Sequence, residues 1–150
     1  MKLLSWNVRG LGGVEKRREV RSLATEKRPH ILCVQETKLL VCDDSVCSSL
    51  WGNSNYAYSF RPLVGASGGL LTMWDCSEVE VWSSVSQEHA LIIHGRFIKT
   101  DDEFFLTNVY ASCDIRAKHD LWVSLSTRLF RWRRKVCLRG GRKKVSSAWR

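Results

Sequence analysis

The chain has 150 residues, enough for one domain with a sizeable core, and 44% of them are hydrophobic, an ordinary globular composition. Its net charge of +9 belongs to one end: residues 1–126 carry a net −1, whereas residues 127–150 carry ten Lys/Arg and no acid. No apolar run is long enough for a membrane span or a signal h-region, and six cysteines form no C-x-x-C pair, which excludes a secreted disulfide scaffold and a zinc finger.

Nuclear or cytoplasmic residence without secretion is therefore expected, with no membrane partner and no sign of an oligomer. Cys33 and Cys137 fall in apolar runs and read as small buried hydrophobes.

Lys2 to Val8 is an apolar run that ends in a turn-rich stretch with Gly10, Gly12 and Gly13. Glu15 to Lys27 is predicted helical, with Val14, Val20, Leu23 and Ala24 near helical spacing and charges opposite. Pro29 ends this helix and pushes Arg28 out of the helical region. Ile31 to Val34 is continuously apolar, as in a strand buried on both faces. Ser45 to Trp51 reads as a short helix and Tyr56 to Phe60 as a strand. Gly65 to Gly69 reads as a tight connection, and Leu70 to Trp74 as the next strand. Evenly spaced runs at Glu78 to Val85, Ala90 to Phe97 and Glu103 to Tyr110 suggest an antiparallel meander. Asp114 to Phe130 is predicted helical with Asp114 as N-cap, and Val136 to Leu138 begins another strand. No repeat and no linker precedes Gly140-Gly141. The expected division is a main body at 1–138 and a basic, disordered tail at 139–150.

The opening strand, helix and strand would form a right-handed βαβ unit. Asn7 and Glu36, 29 residues apart, then fall at one edge of a parallel sheet, where α/β proteins place their ligands. Glu36 directly follows four apolar residues and Gln35, which is hard to explain as a solvated face. Ser67-Gly68-Gly69 has no helix after it, so a turn is the better reading than a phosphate cradle. Gly10-x-Gly12-Gly13 does precede a helix and is the better phosphate-contact candidate, though an ordinary strand–helix turn accounts for it. His30, His89, His94 and His119 are scattered and suggest no shared site.

The order of these elements, with Trp6-Asn7-Val8-Arg9-Gly10, Gln35-Glu36-Thr37-Lys38, Ser67-Gly68-Gly69-Leu70-Leu71 and Asn108-Val109-Tyr110-Ala111, resembles the endonuclease/exonuclease/phosphatase family. It looks most like the N-terminal endonuclease of plant non-LTR, LINE-type retrotransposons. The likeness runs in order over about residues 1–138. It implies an α/β fold, a four-layer sandwich of two mixed sheets flanked by helices, present here as an incomplete N-terminal part. It also implies Mg²⁺- or Mn²⁺-assisted hydrolysis of a phosphodiester, with DNA as partner. By resemblance Glu36 and Asn7 match the family's metal-site positions, and Asn7, Glu36 and Tyr110 its catalytic positions.

The chain departs from the family at its end. After the strand at Val136 to Leu138 the family has Gly-Asp-Phe-Asn, whose Asp activates water; here Gly140 is followed by Gly141-Arg142-Lys143. The later Ser-Asp-His pattern is absent, and Ala111-Ser112 stands where a proline is usual. These departures, at the onset of the basic tail, imply a frame or gene-model change near residue 139, whose signature would be a Gly-Asp-Phe-Asn remnant in a neighbouring frame. The resulting expectation is a truncated nuclease remnant with little or no activity. The alternatives are a phosphoesterase of the same fold acting on a non-nucleic substrate, and a non-catalytic nucleic-acid-binding module using the basic tail.

Overall fold

A computed structural model describes residues 2–110, 115–116, 119–120, 123, 136–139 and 144–147. Within them the order is β1 (Lys2–Asn7), α1 (Val14–Lys27), β2 (Ile31–Gln35), α2 (Asp44–Trp51), β3 (Tyr56–Val64) and β4 (Ser67–Asp75). Then follow β5 (Val79–Gln87), β6 (Ala90–Phe97), β7 (Asp102–Val109), β8 (Val136–Arg139) and β9 (Lys144–Ser147). One sheet runs β3-β4-β2-β1-β9 and the other β5-β6-β7-β8. Each contains one parallel pair, β1 with β2 and β7 with β8, among antiparallel ones. The α/β sandwich of two mixed sheets expected from the sequence is the architecture found.

Strand alternation builds two cores. Leu4, Trp6, Leu32, Val34, Leu71 and Met73 face the helices and pack with Val20 of α1 and Cys47, Leu50 and Trp51 of α2. Leu3, Ile31, Cys33 and Trp74 point the other way and pack on Val79, Ile93, Phe104 and Leu106 of the second sheet. All five residues of β2 are buried, as its unbroken apolar run requires.

α1 and α2 have identifiable ends. Arg28 adopts the left-handed conformation (φ 46°) and donates its N–H to Ala24 O at 2.8 Å, just before Pro29. Asp43 caps α2 by accepting from Val46 N at 3.0 Å, and Gly52 (φ 92°) closes it.

Three local readings change. Val14, expected on the buried side of α1, is 61% exposed, because it is the first helical residue and projects past the packed turns. β3 continues through Pro62 to Val64; an edge strand tolerates a residue without an N–H. The connection expected at Gly65 to Gly69 is a turn of Gly65-Ala66 only, and Gly68 and Gly69 lie inside β4.

Within the predicted 114–130 helix, residues 115–116, 119–120 and 123 are helical, with Ile115 and Val123 exposed; Asp114 and the other positions lie outside the described residues. Inside the 139–150 segment, β9 lines the outer edge of β1, with Ser5 opposite Lys144 and Lys2 opposite Ser147. Among the described residues no helix is long and apolar enough to cross a membrane.

Candidate functional site

The parallel pairing of β1 and β2 sets Asn7 beside Gln35, so both strands end together and Glu36 is the first residue beyond the edge. β4 runs antiparallel to β2 with Leu70 opposite Gln35, which brings Gly68 and Gly69 alongside residues 37 and 38. Thr37 N donates to Gly69 O (3.1 Å) and Lys38 N to Gly68 O (3.0 Å). From the other side Gly10 N donates to Glu36 O and Leu11 N to Thr37 O, each at 2.8 Å. Glu36 is thus clamped between two segments.

That clamp holds an unusual backbone. Glu36 (φ 56°), Lys38 (φ 54°) and Arg9 (φ 53°) are left-handed although none is glycine. Such conformations persist where neighbouring bonds over-determine them, and they concentrate at binding sites. The Glu36 side chain is 16% exposed, and its Oε1 lies 3.8 Å from Lys38 Nζ. Asn7 Oδ1 accepts from Arg9 N at 3.2 Å, a local turn that fixes the amide at the strand end.

Tyr110 follows β7 in the second sheet and is tied down by donating its N–H to His89 O at 3.0 Å. Its ring reaches the first sheet: a Cβ on Gly68 would lie 3.9 Å from Tyr110 Cδ1. Gly68 therefore links the Tyr110 ring to Lys38, two residues after Glu36. Asn7 and Glu36 arrive at the same edge by strand pairing, and Tyr110 reaches it across the sandwich. His94 pairs with Glu103 (2.7 Å), and His30 accepts at Nδ1 from Lys2 N (3.3 Å).

Beneath this edge lies a buried polar bridge that the sequence reading did not assign. Gln35 Nε2 donates to Ser5 Oγ (3.0 Å) and to Asn108 Oδ1 (2.7 Å). Asn108 Nδ2 in turn contacts Val34 O (3.3 Å), Leu71 O (3.0 Å) and Thr72 Oγ1 (3.2 Å). Gln35, Thr72 and Asn108 are fully buried, so this network fixes the second sheet against the first directly below Glu36 and Tyr110. The available signal was a polar residue ending an apolar run, Gln35 after Ile31-Leu32-Cys33-Val34 and Asn108 after Phe104-Phe105-Leu106-Thr107. Lys38 also went unassigned.

Among the described residues no group of three or more His, Cys, Asp or Glu can hold a metal ion. Glu36 and Asn7 offer one carboxylate and one amide oxygen whose second lone pair is unused by Arg9. A soft-metal or zinc centre does not fit that donor set. A hard cation such as Mg²⁺ does, because it takes one or two carboxylates and retains several waters. A cavity of about 690 Å³ lies elsewhere, between α2 and the opposite end of β3, lined by Asp44, Ser48, Tyr56 and Tyr58.

No protein-family model and no curated protein sequence matches the chain. Solved structures do. An endonuclease/exonuclease/phosphatase family protein from Bacteroides thetaiotaomicron superposes with a TM-score of 0.66 at 13% identity, over 90% of this chain and 58% of that one. TDP2 from D. rerio, complexed with a single-strand DNA product, gives 0.60 at 16% identity, over 89% and 55%. AP endonuclease LMAP from Leishmania major gives 0.55 at 21% identity, over 74% and 40%. The chain therefore has the fold of endonuclease/exonuclease/phosphatase proteins, and spans roughly half the length of these structures.

Proposed function

We propose that this chain carries the first half of a divalent-metal phosphodiesterase site and, as written, hydrolyses DNA weakly or not at all. The observation that carries the reading is Glu36: a carboxylate in a clamped left-handed conformation, at a parallel-strand edge shared with Asn7 and faced by the Tyr110 segment. Glu36 and Asn7 would hold Mg²⁺ or Mn²⁺, which supplies charge neutralisation at a phosphoryl oxygen. Tyr110 offers a hydroxyl to a phosphate oxygen, and the Lys38 ammonium adds positive charge at the same rim. The pattern of matching residues supports descent from the endonuclease of a plant LINE-type retrotransposon, with a body at 1–138 followed by a basic segment at 139–150.

The weak activity has a topological reason. β8 runs parallel to β7 and sets Arg139 opposite Asn108, so β8 ends on the same side as Tyr110. The next residues are Gly140-Gly141-Arg142-Lys143, and no Asp or Glu follows to the end of the sequence given. Those four residues carry no carboxylate to take a proton from an attacking water, and losing one such group from a cooperating set costs orders of magnitude in rate.

The test has two readouts. Titrating Mn²⁺ into labelled protein should broaden the amide signals of residues 7–10 and 36–38 before others, and Glu36→Ala should remove the effect. Supercoiled plasmid with Mg²⁺ should be nicked at or near background. Nicking well above background that disappears in Glu36→Ala would overturn the weak-activity reading; unselective broadening would overturn the site itself.

The strand positions also favour a second reading, a nucleic-acid-binding role for the basic segment. Arg139 falls opposite Asn108 and Lys144 opposite Ser5, so these two residues of the segment sit on strands that flank the candidate edge. Arg139→Gln with Lys144→Gln should lower the slope of log affinity against log salt for duplex DNA by about 2. An unchanged slope would rule out these two cations as phosphate contacts.

A further inference from the structure

Cys42 and Cys47, five residues apart, lie outside both sheets and flank the start of α2. Cys42 is the residue before the cap Asp43, and Cys47 lies one turn into the helix, where its N–H donates to Asp43 O at 3.1 Å. Their Sγ atoms are 3.5 Å apart. Both thiols are free, Cys47 buried and Cys42 half-buried, so a small solute can reach the outer sulfur first.

We propose that Cys42 and Cys47 form a peroxide-sensitive dithiol that closes to an intramolecular disulfide across the first turn of α2. The Cys42 thiolate attacks one oxygen of a hydroperoxide such as H₂O₂. The O–O bond breaks, and Cys42 becomes a sulfenic acid with release of one water. Cys47 sulfur then displaces the sulfenic oxygen: the S–O bond breaks, the S–S bond forms, and the thiol proton leaves with that oxygen as a second water. Two thiols are oxidised by two electrons and one peroxide is reduced to two waters.

Three features favour this order. The Cys47 thiol, hydrogen-bonded to Cys42, holds the Cys42 pKa below its ordinary value, while the same bond and burial push Cys47 up. Cys42 precedes the helix and packs half-buried against the core in which Cys47 is fully buried, so its sulfur is the more accessible of the two. The second sulfur already lies within one side-chain adjustment of the first, so ring closure competes with further oxidation. The bond would tie the loop leaving Glu36 and Lys38 to the first turn of α2. Leu63 N anchors the same loop by donating to Leu39 O at 2.9 Å.

The full chain, treated with one equivalent of H₂O₂ and alkylated with N-ethylmaleimide, should lose about 2 Da before alkylation and protect two thiols. Trypsin followed by cleavage before aspartate should yield peptide 39–42 linked to peptide 44–74, and dithiothreitol should separate them. Cys42→Ser should abolish the link, and so should Cys47→Ala; the former changes a half-buried residue and keeps the test valid if the latter unfolds. Stepwise gain of oxygen on Cys42 without cross-linking would overturn the proposal. So would an equal yield of disulfide in Cys42→Ser, which would locate the reactive pair elsewhere.

Discussion

Asn108→Ala is expected to destabilise the protein by about 3–4 kcal/mol, lowering Tm by roughly 10 °C for a chain of this size. Asn108 has no exposed surface and is the polar residue through which β7 reaches both β2 and β4. Truncation leaves a cavity and removes one of the two acceptors of Gln35 Nε2. Gln35 Oε1 already lacks a side-chain or backbone partner, so the mutant would bury most of an amide unsatisfied. Asn108→Asp should cost more, because a carboxylate cannot donate to Val34 O and Leu71 O. Pairing Asn108→Leu with Gln35→Leu should cost less than the sum of the two single changes, since both halves of the polar pair leave together. Urea denaturation with an unchanged m-value would measure each. An Asn108→Ala loss below about 1 kcal/mol would show that the bridge does not hold the sheets together.

The second large effect is expected at Gly69. Its φ of +87° is one that L side chains rarely adopt, and an added Cβ would run into Thr37 Oγ1 and come within 3.3 Å of Lys38 N. Thr37 is fully buried and cannot swing away. Gly69→Ala should therefore cost about 2–3 kcal/mol in strain and overpacking. It should also loosen the Thr37 N to Gly69 O bond, one of the contacts that hold Glu36 left-handed, and so weaken Mn²⁺ binding more than the stability loss alone explains. Thr37→Ala added to Gly69→Ala removes the colliding oxygen and should recover part of the stability, leaving the backbone strain. A double variant no more stable than the single one would show that the collision is not the cause.

Much of the fold was legible because strand and helix periodicities are local. The alternation in β1 sends Leu4 and Trp6 to the helices and Leu3 to the second sheet, and the unbroken Ile31 to Val34 run fits a strand with both faces covered. Gly68 and Gly69 were misread as part of a turn, because glycine in sequence marks conformational freedom without saying what uses it. Here the use is close approach of β4 to residues 37 and 38.

By itself, the sequence determined the opening strand–helix–strand unit. With the handedness of such crossovers, that was enough to bring Asn7 and Glu36 to one edge. Only the tertiary structure decided what surrounds them. Gln35 and Asn108, 73 residues apart, meet because the two sheets stack, and no periodicity along either strand encodes which residue it will face across the sandwich. The left-handed turn at Glu36 likewise depends on bonds from Gly10 and on the pairing of residues 37 and 38 with β4. Side-chain alternation fixes the face of a strand; its partner is chosen by packing between layers, where contacts distant in sequence are settled together.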